Sequence, residues 1–105
     1  MTRSVEVEVR FRFRDRKPPS GFSKPFRHPY HLVEDVKTFV RDRYNIPRWS
    51  VRVYYWTSGF GWRWASRFTR IGDIRDWAST PTRVVLEMRD SARMIRAMGP
   101  PHSRY

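Results

Sequence analysis

A chain of 105 residues is long enough for one domain with a single modest hydrophobic core, and its lack of cysteine excludes disulfides and thiolate metal sites. No apolar run reaches the roughly 18 residues that a membrane-spanning helix needs, so no membrane partner is expected. The formal net charge is +12, from 22 Lys and Arg against 10 Asp and Glu, which favours a polyanionic partner or an acidic protein surface.

The basic residues are mostly arginine, with lysine only at positions 17, 24 and 37. Arginine forms forked contacts to phosphate and stacks on flat rings, so this bias suits nucleic acid. A GC-rich genome would produce the same bias with no function attached, and both explanations stay open. Glu6 and Glu8 near the start, with no apolar segment after them, argue against a signal or transit peptide, so cytoplasm or nucleus is the expected location.

The first predicted element is a strand. Apolar residues at the odd positions 5–13 alternate with charged residues at the even positions 6–14, which is typical of a strand with one buried and one solvated face. Residues 15–29 contain four prolines and one glycine, so we predict a long loop that leads to an edge strand. Three aromatic residues are expected to hold this edge against the core: Phe22, Phe26 and Tyr30.

Residues 32–47 are the only segment with a strong helical period. The apolar stripe of the predicted helix consists of Val33, Val36, Val40 and Tyr44. Asn45 can take the left-handed conformation that closes a helix, and Pro47 prevents its continuation. Because a helix of about three turns is not stable alone, this stripe must lie on a sheet.

After the helix, residues 49–56 are β-branched and aromatic, which predicts a strand. Its alternation places Val51, Val53 and Tyr55 inward and leaves Arg52, Tyr54 and Trp56 outside. Residues 57–61 are predicted to form a turn and residues 62–65 a short return strand, in which one of the two tryptophans is expected in the core.

The sequence predicts an irregular turn or a single turn of 3₁₀ helix at residues 68–77. It predicts the last strand at residues 82–88. The last strand has Val84, Leu86 and Met88 inward and Arg83, Val85, Glu87 and Arg89 outward. The predicted domain is residues 1–90. Residues 91–105 form an extension, with a short helical turn at 92–98 and a disordered tail.

The order of these elements resembles the ubiquitin-like β-grasp. Ubiquitin-like domains carry two aliphatic residues on the helix with three residues between them, then a left-handed residue followed by Ile-Pro. The matching residues here are Val36, Val40, Asn45, Ile46 and Pro47. The likeness covers about residues 4–90, and it implies an α+β fold in which a mixed four- to five-stranded sheet packs on one helix.

Two departures from the ubiquitin-like pattern bear on function. Such domains usually join their first two strands by a tight turn, where this chain has residues 15–29. Conjugated modifiers end in Gly-Gly, whereas this sequence ends in Ser-Arg-Tyr, so a modifier or sulfur-carrier role is not expected. The same fold hosts adaptor modules and RNA binders, so the fold alone does not choose a function.

The residue types that carry chemistry are scarce. Nucleophilic catalysis needs an activated nucleophile with a base in reach, and the three histidines are scattered. His28 and His31 have ligand spacing without an identifiable third ligand, and residues 59–61 lack the Lys-Ser/Thr of a phosphate loop. We therefore expect no enzyme activity, no cofactor, no metal site and no small-molecule substrate.

The remaining candidate site is the outer face of the sheet, where arginines interleave with aromatic residues. The predicted partner-binding residues are Arg10, Arg12, Arg52, Tyr54, Trp56, Trp62, Arg63, Trp64, Arg83, Val85 and Arg89. Such a mixture is enriched in protein interfaces and also binds single-stranded nucleic acid. The sequence predicts a non-enzymatic module that docks on a protein partner within a larger assembly. The alternatives are an RNA- or DNA-binding domain, an enzyme subunit that contributes no catalytic residue, or a solvated face with cross-strand Glu–Arg pairs.

Overall fold

The protein has an α+β fold, seen in a computed structural model that describes residues 5–26, 32–69 and 83–99. Five strands form one mixed sheet, and two helices accompany it in these ranges. The elements in chain order are β1 (Val5–Arg12), β2 (Phe22–Phe26), α1 (Leu32–Tyr44), a 3₁₀ turn (Arg48–Ser50), β3 (Val51–Thr57), β4 (Gly61–Ala65), β5 (Arg83–Asp90) and α2 (Ala92–Met98). Neither described helix has the length and apolar character needed to cross a bilayer.

The sheet has the strand order β2-β1-β5-β3-β4. β1 and β5 are parallel and central, and every other neighbouring pair is antiparallel. The parallel register places Val7 beside Val84 and Val9 beside Leu86, so the apolar residues of both strands share one face. The predicted alternation in β1, β3 and β5 is confirmed by this register and by the burial of the inward side chains.

Helix α1 contributes its apolar stripe to the core on that face. Leu32, Val33, Val36 and Val40 are fully buried in one cluster with the valines of the sheet. The helix ends as predicted, because Asn45 has φ 57° and its N–H donates to the carbonyl of Arg41 at 3.0 Å. Acidic residues occupy the first turn of α1 and arginines the last, which suits the helix dipole.

An edge strand is present as predicted, but β2 lies inside the proline-rich segment 15–29, which was predicted to be a loop leading to that strand. Pro25 is tolerated there because β2 pairs only with β1 in the described part of the chain, so no ladder bond on its other side is lost. Phe26 is buried and Phe22 is half-buried against the core. A Cβ at Gly21 would lie 2.7 Å from the carbonyl oxygen of Val9, so glycine allows β2 to approach β1 closely.

A buried polar cluster, which the sequence analysis did not find, fixes the loop after β1. The Asp90 carboxylate, 6% exposed as a residue, accepts a bond from Arg16 Nε at 2.9 Å and one from the backbone N–H of Arg14 at 2.7 Å. The other guanidinium nitrogens of Arg16 donate to Ser50 Oγ and to the Ser50 carbonyl. Ser91 then caps α2 and donates its hydroxyl to the Trp49 carbonyl. This network ties β1, β5, the 3₁₀ turn and α2 together.

Several boundaries differ from the predictions, and several predictions lie outside the described residues. The last strand, predicted to end at residue 88, extends to Asp90. Trp49 belongs to the 3₁₀ turn before β3 rather than to the strand, because Ser50 donates its N–H back to the Pro47 carbonyl. The positions outside the described ranges are Tyr30, His28, His31, most of the predicted turn at 68–77, and the tail from residue 100 onward.

Candidate docking face of the sheet

The face of the sheet opposite α1, called the outer face here, is formed by alternate residues of all five strands. β2 contributes Ser23 and Pro25 at one edge, and the other four strands contribute the residues that concern the candidate site. They are Glu6, Glu8, Arg10 and Arg12 of β1; Arg83, Val85, Glu87 and Arg89 of β5; Arg52, Tyr54 and Trp56 of β3; and Trp62 and Trp64 of β4. Every predicted partner-binding residue except Arg63 therefore lies on this face. Whether these residues bind a partner stays a prediction.

Arg63 was wrongly placed with the two tryptophans that flank it. In the antiparallel register of β3 and β4 it lies opposite Tyr55, whose side chain belongs to the core face. Its guanidinium carbon lies 5.5 Å from the centre of the exposed Phe60 ring in the β3–β4 turn. The expectation that Trp62 or Trp64 is a core residue was also wrong, because both share the outer face with Trp56 and Tyr54.

The β3–β4 half of the outer face is aromatic. Trp56 lies opposite Trp62, with ring centres 5.4 Å apart and planes inclined by 68°, and Tyr54 lies opposite Trp64. Edge-to-face packing of this kind is a favoured geometry for aromatic pairs. Trp56 remains 49% exposed and Trp64 61% exposed, so one surface presents two large apolar side chains to solvent.

The β1–β5 half of the outer face is charged, and two of its three glutamates, Glu8 and Glu87, are paired with arginines. Glu8 accepts a bond from Arg10 Nε at 2.7 Å and another from Arg83. The bond from Arg10, followed by that from Arg83, holds the pKa of the Glu8 carboxyl below its usual value. Glu8 is therefore ionised at neutral pH and neutralises part of the arginine charge on this half of the face.

Glu87 is buried although it lies on the outer face, which corrects its predicted position on a solvated surface. It is 8% exposed because neighbouring side chains cover it, and Arg89 Nε donates to its carboxylate at 2.6 Å. The Arg89 guanidinium in turn lies 4.0 Å from the centre of the Tyr54 ring. Arg89 thus joins the charged half of the face to the aromatic half.

The three arginines nearest the end of the face form a row across three strands. Arg12 of β1 lies beside Arg89 of β5, and Arg89 lies opposite Arg52 of β3. The row borders an open cleft of ≈ 430 Å³, which Phe13, Tyr54 and Ile95 of α2 also line. The sequence analysis found the three arginines but not the cleft, because the position of α2 over the end of the sheet has no local signal.

The outer face carries five arginines and three glutamates. The net charge of these side chains is a small share of the formal net charge of +12. The positive charge on it is concentrated in the arginine row, at the end away from Glu6 and Glu8. In the described part of the chain, no group of three or more His, Cys, Asp or Glu side chains is placed to hold a metal ion.

Neither a protein-family model nor a curated protein matches this chain.

Proposed function

We propose that this protein is a non-enzymatic ubiquitin-like module that docks on a protein partner through the outer face. Two observations support the β-grasp assignment: the strand order β2-β1-β5-β3-β4 with a parallel β1–β5 pair, and the left-handed Asn45 followed by the buried Ile46 and by Pro47. A sheet with one face covered by α1 and the other open is suited to docking.

The exposed pair Trp56 and Trp64 carries the proposal. Energetic hot spots of protein interfaces are enriched in Trp, Tyr and Arg, and they cluster at the centre of the contact surface. Here the two exposed tryptophans share a face with Tyr54 and Arg89, whose guanidinium lies 4.0 Å from the centre of the Tyr54 ring. Side chains that already contact one another lose less conformational entropy on binding, which favours this patch as an anchor.

Replacing Trp56 or Trp64 with alanine is expected to weaken partner binding by about 30-fold or more, which is about 2 kcal/mol. The partner is first isolated by affinity purification from the native host with nuclease present, and its dissociation constant is then measured by calorimetry. Phe60→Ala is the matched control, because Phe60 is 78% exposed yet lies in the β3–β4 turn.

Retention of full affinity by both tryptophan variants, with each variant folded, would contradict docking through the outer face. Equal loss from Phe60→Ala would also contradict it, because a general loss of exposed aromatic surface would then explain the result.

The arginine row favours a second candidate function, binding of RNA or DNA. Arginines beside an aromatic ring can hold phosphates while a base stacks, and Arg89 lies on Tyr54 in this way. The paired glutamates of the β1–β5 half disfavour it, because they place negative charge where further phosphates would lie.

Salt dependence separates the two functions. If Arg12, Arg52 and Arg89 each neutralise one phosphate, log K should fall with log salt at a slope of about −2.1 for a single strand or about −2.7 for a duplex. Replacing one of these arginines with glutamine should flatten the slope by nearly one unit. A protein partner predicts a weaker salt effect, mostly on the association rate. Binding no tighter than about 10⁻⁴ to 10⁻⁶ M at 0.15 M salt would mark nucleic acid as a non-specific ligand.

A further inference from the structure

The arginine row is an unusual arrangement within a sheet. Like charges directly opposite each other on neighbouring strands destabilise a sheet, and here three guanidinium groups occupy one row on β1, β5 and β3. Arg89 is compensated by Glu87. Arg12 and Arg52 form no ion pair with a carboxylate of the described residues. Stability of the fold gives no reason for this row.

The carboxylate that lines the cleft, that of Asp90, is already occupied. Both oxygens of Asp90 accept bonds, one from Arg16 and one from the backbone of Arg14. Arg52 donates instead to neutral groups, the Asp90 carbonyl and the Tyr54 hydroxyl, each at 3.4 Å. These bonds are long, and they hold the guanidinium in place without neutralising it. The cleft therefore keeps an uncompensated positive charge.

The volume of the cleft is typical of a site that binds a small ligand or a single side-chain group. Its volume of ≈ 430 Å³ lies in the range of about 300 to 1,000 Å³ typical of ligand sites. Ile95 of α2 lines one side, and Arg14 on the same side donates to the Gly99 carbonyl just after α2. Because α2 bounds the cleft on this side, the cleft suits a discrete anionic group better than a continuous polyanion.

We propose that this cleft binds carboxylate side chains of an acidic segment of the partner protein, while the tryptophans of the outer face bind its apolar side chains. The proposal rests on the proposed docking function and names the chemistry of the partner. Charge complementarity with Arg12, Arg52 and Arg89 selects an acidic segment. A nucleic acid leaving the cleft along β1 and β5 would meet Glu8 and Glu87, whereas a peptide can place an apolar or basic residue there.

The test is a titration of the full chain with a terminally blocked pentaglutamate peptide at 0.15 M salt, followed through the Nε–H signals of the arginines by NMR. Saturable shifts are expected for Arg12, Arg52 and Arg89. Arg12→Gln or Arg52→Gln should weaken binding by about 5- to 30-fold, because each removes a charge-assisted contact. Arg10→Gln is the matched control: Arg10 lies on the same face of β1 but pairs with Glu8 outside the cleft, and a change of less than about twofold is expected.

Three results would overturn the proposal. They are the absence of saturable shifts with pentaglutamate, an equal loss of affinity in Arg10→Gln, and tighter binding of a five-nucleotide thymidine oligomer than of pentaglutamate in the same cleft. Failure here is distinguishable from failure of the docking function. If Trp56→Ala and Trp64→Ala abolish partner binding while pentaglutamate does not bind, the outer face is a docking face whose cleft has no acidic ligand.

Discussion

Truncation of Leu86 to alanine is expected to lower the free energy of unfolding by about 3 to 5 kcal/mol. Leu86 is fully buried in the central strand β5, between Val9 of β1 and Tyr55 of β3. Its loss removes apolar burial and leaves a cavity that the parallel pair cannot close without moving a strand. Urea unfolding measures the effect as a shift in midpoint at an unchanged m value.

Two valines of the same strand provide the control for this prediction. Val84 is buried on the core face, and Val85 is half-buried on the outer face. Because both are changed from valine to alanine in one strand, the difference in strand propensity cancels. Val84→Ala should cost about 2 to 3 kcal/mol and Val85→Ala less than about 1 kcal/mol. Equal costs at the two positions would contradict the assignment of the core and outer faces.

The strands and the helix could be predicted because each pattern is local. The alternation in residues 5–13 is visible within one strand, and the burial of Val7 and Val9 follows from it once any partner covers that face. The end of α1 is likewise predicted by three neighbouring residues, Asn45, Ile46 and Pro47. Such signals need no knowledge of the rest of the fold.

The set of side chains on the outer face could not be predicted without the register between the strands. Alternation alone separates Arg63 from Trp62 and Trp64, but only the pairing of Trp56 with Trp62 shows which face each occupies. The burial of Glu87 depends on side chains from its neighbours, including Arg89, which folds back to pair with it. A short strand such as β4 gives too few residues to fix its inward face from the sequence.

The polar cluster and the cleft could not be predicted, because their residues are far apart in the chain. Arg16 and Asp90 are separated by 74 positions, and Arg16 and Ser50 by 34. No sequence period links such residues, and Asp90 follows the predicted end of the last strand at residue 88. The cluster also places the loop after β1 and the start of α2 beside the arginine row, so it shapes the cleft.

Replacing Asp90 with alanine is expected to destabilise the protein by about 3 to 5 kcal/mol, because a partly buried guanidinium is left without its counter-ion. The Asp90 side chain is 5% exposed and that of Arg16 is 22% exposed, so water does not restore the lost bonds fully. The backbone N–H of Arg14 loses its acceptor in the same variant. Chemical denaturation followed by far-UV circular dichroism measures the loss.

Asp42→Ala is the matched control. The side chains of Asp42 and its partner Arg41 are both about half exposed or more, so this pair should contribute less than about 1 kcal/mol to stability.

A double-mutant cycle then isolates the contribution of the Asp90–Arg16 pair in the cluster. Asp90 and Arg16 are in direct contact. The loss of unfolding free energy in the double variant Asp90→Ala/Arg16→Gln should therefore be smaller than the sum of the two single losses by about 1 to 3 kcal/mol. Additive costs within a few tenths of a kcal/mol would show that Asp90 acts through the Arg14 backbone alone. If Asp90→Ala lowers the free energy of unfolding as little as Asp42→Ala does, the polar cluster does not stabilise the fold.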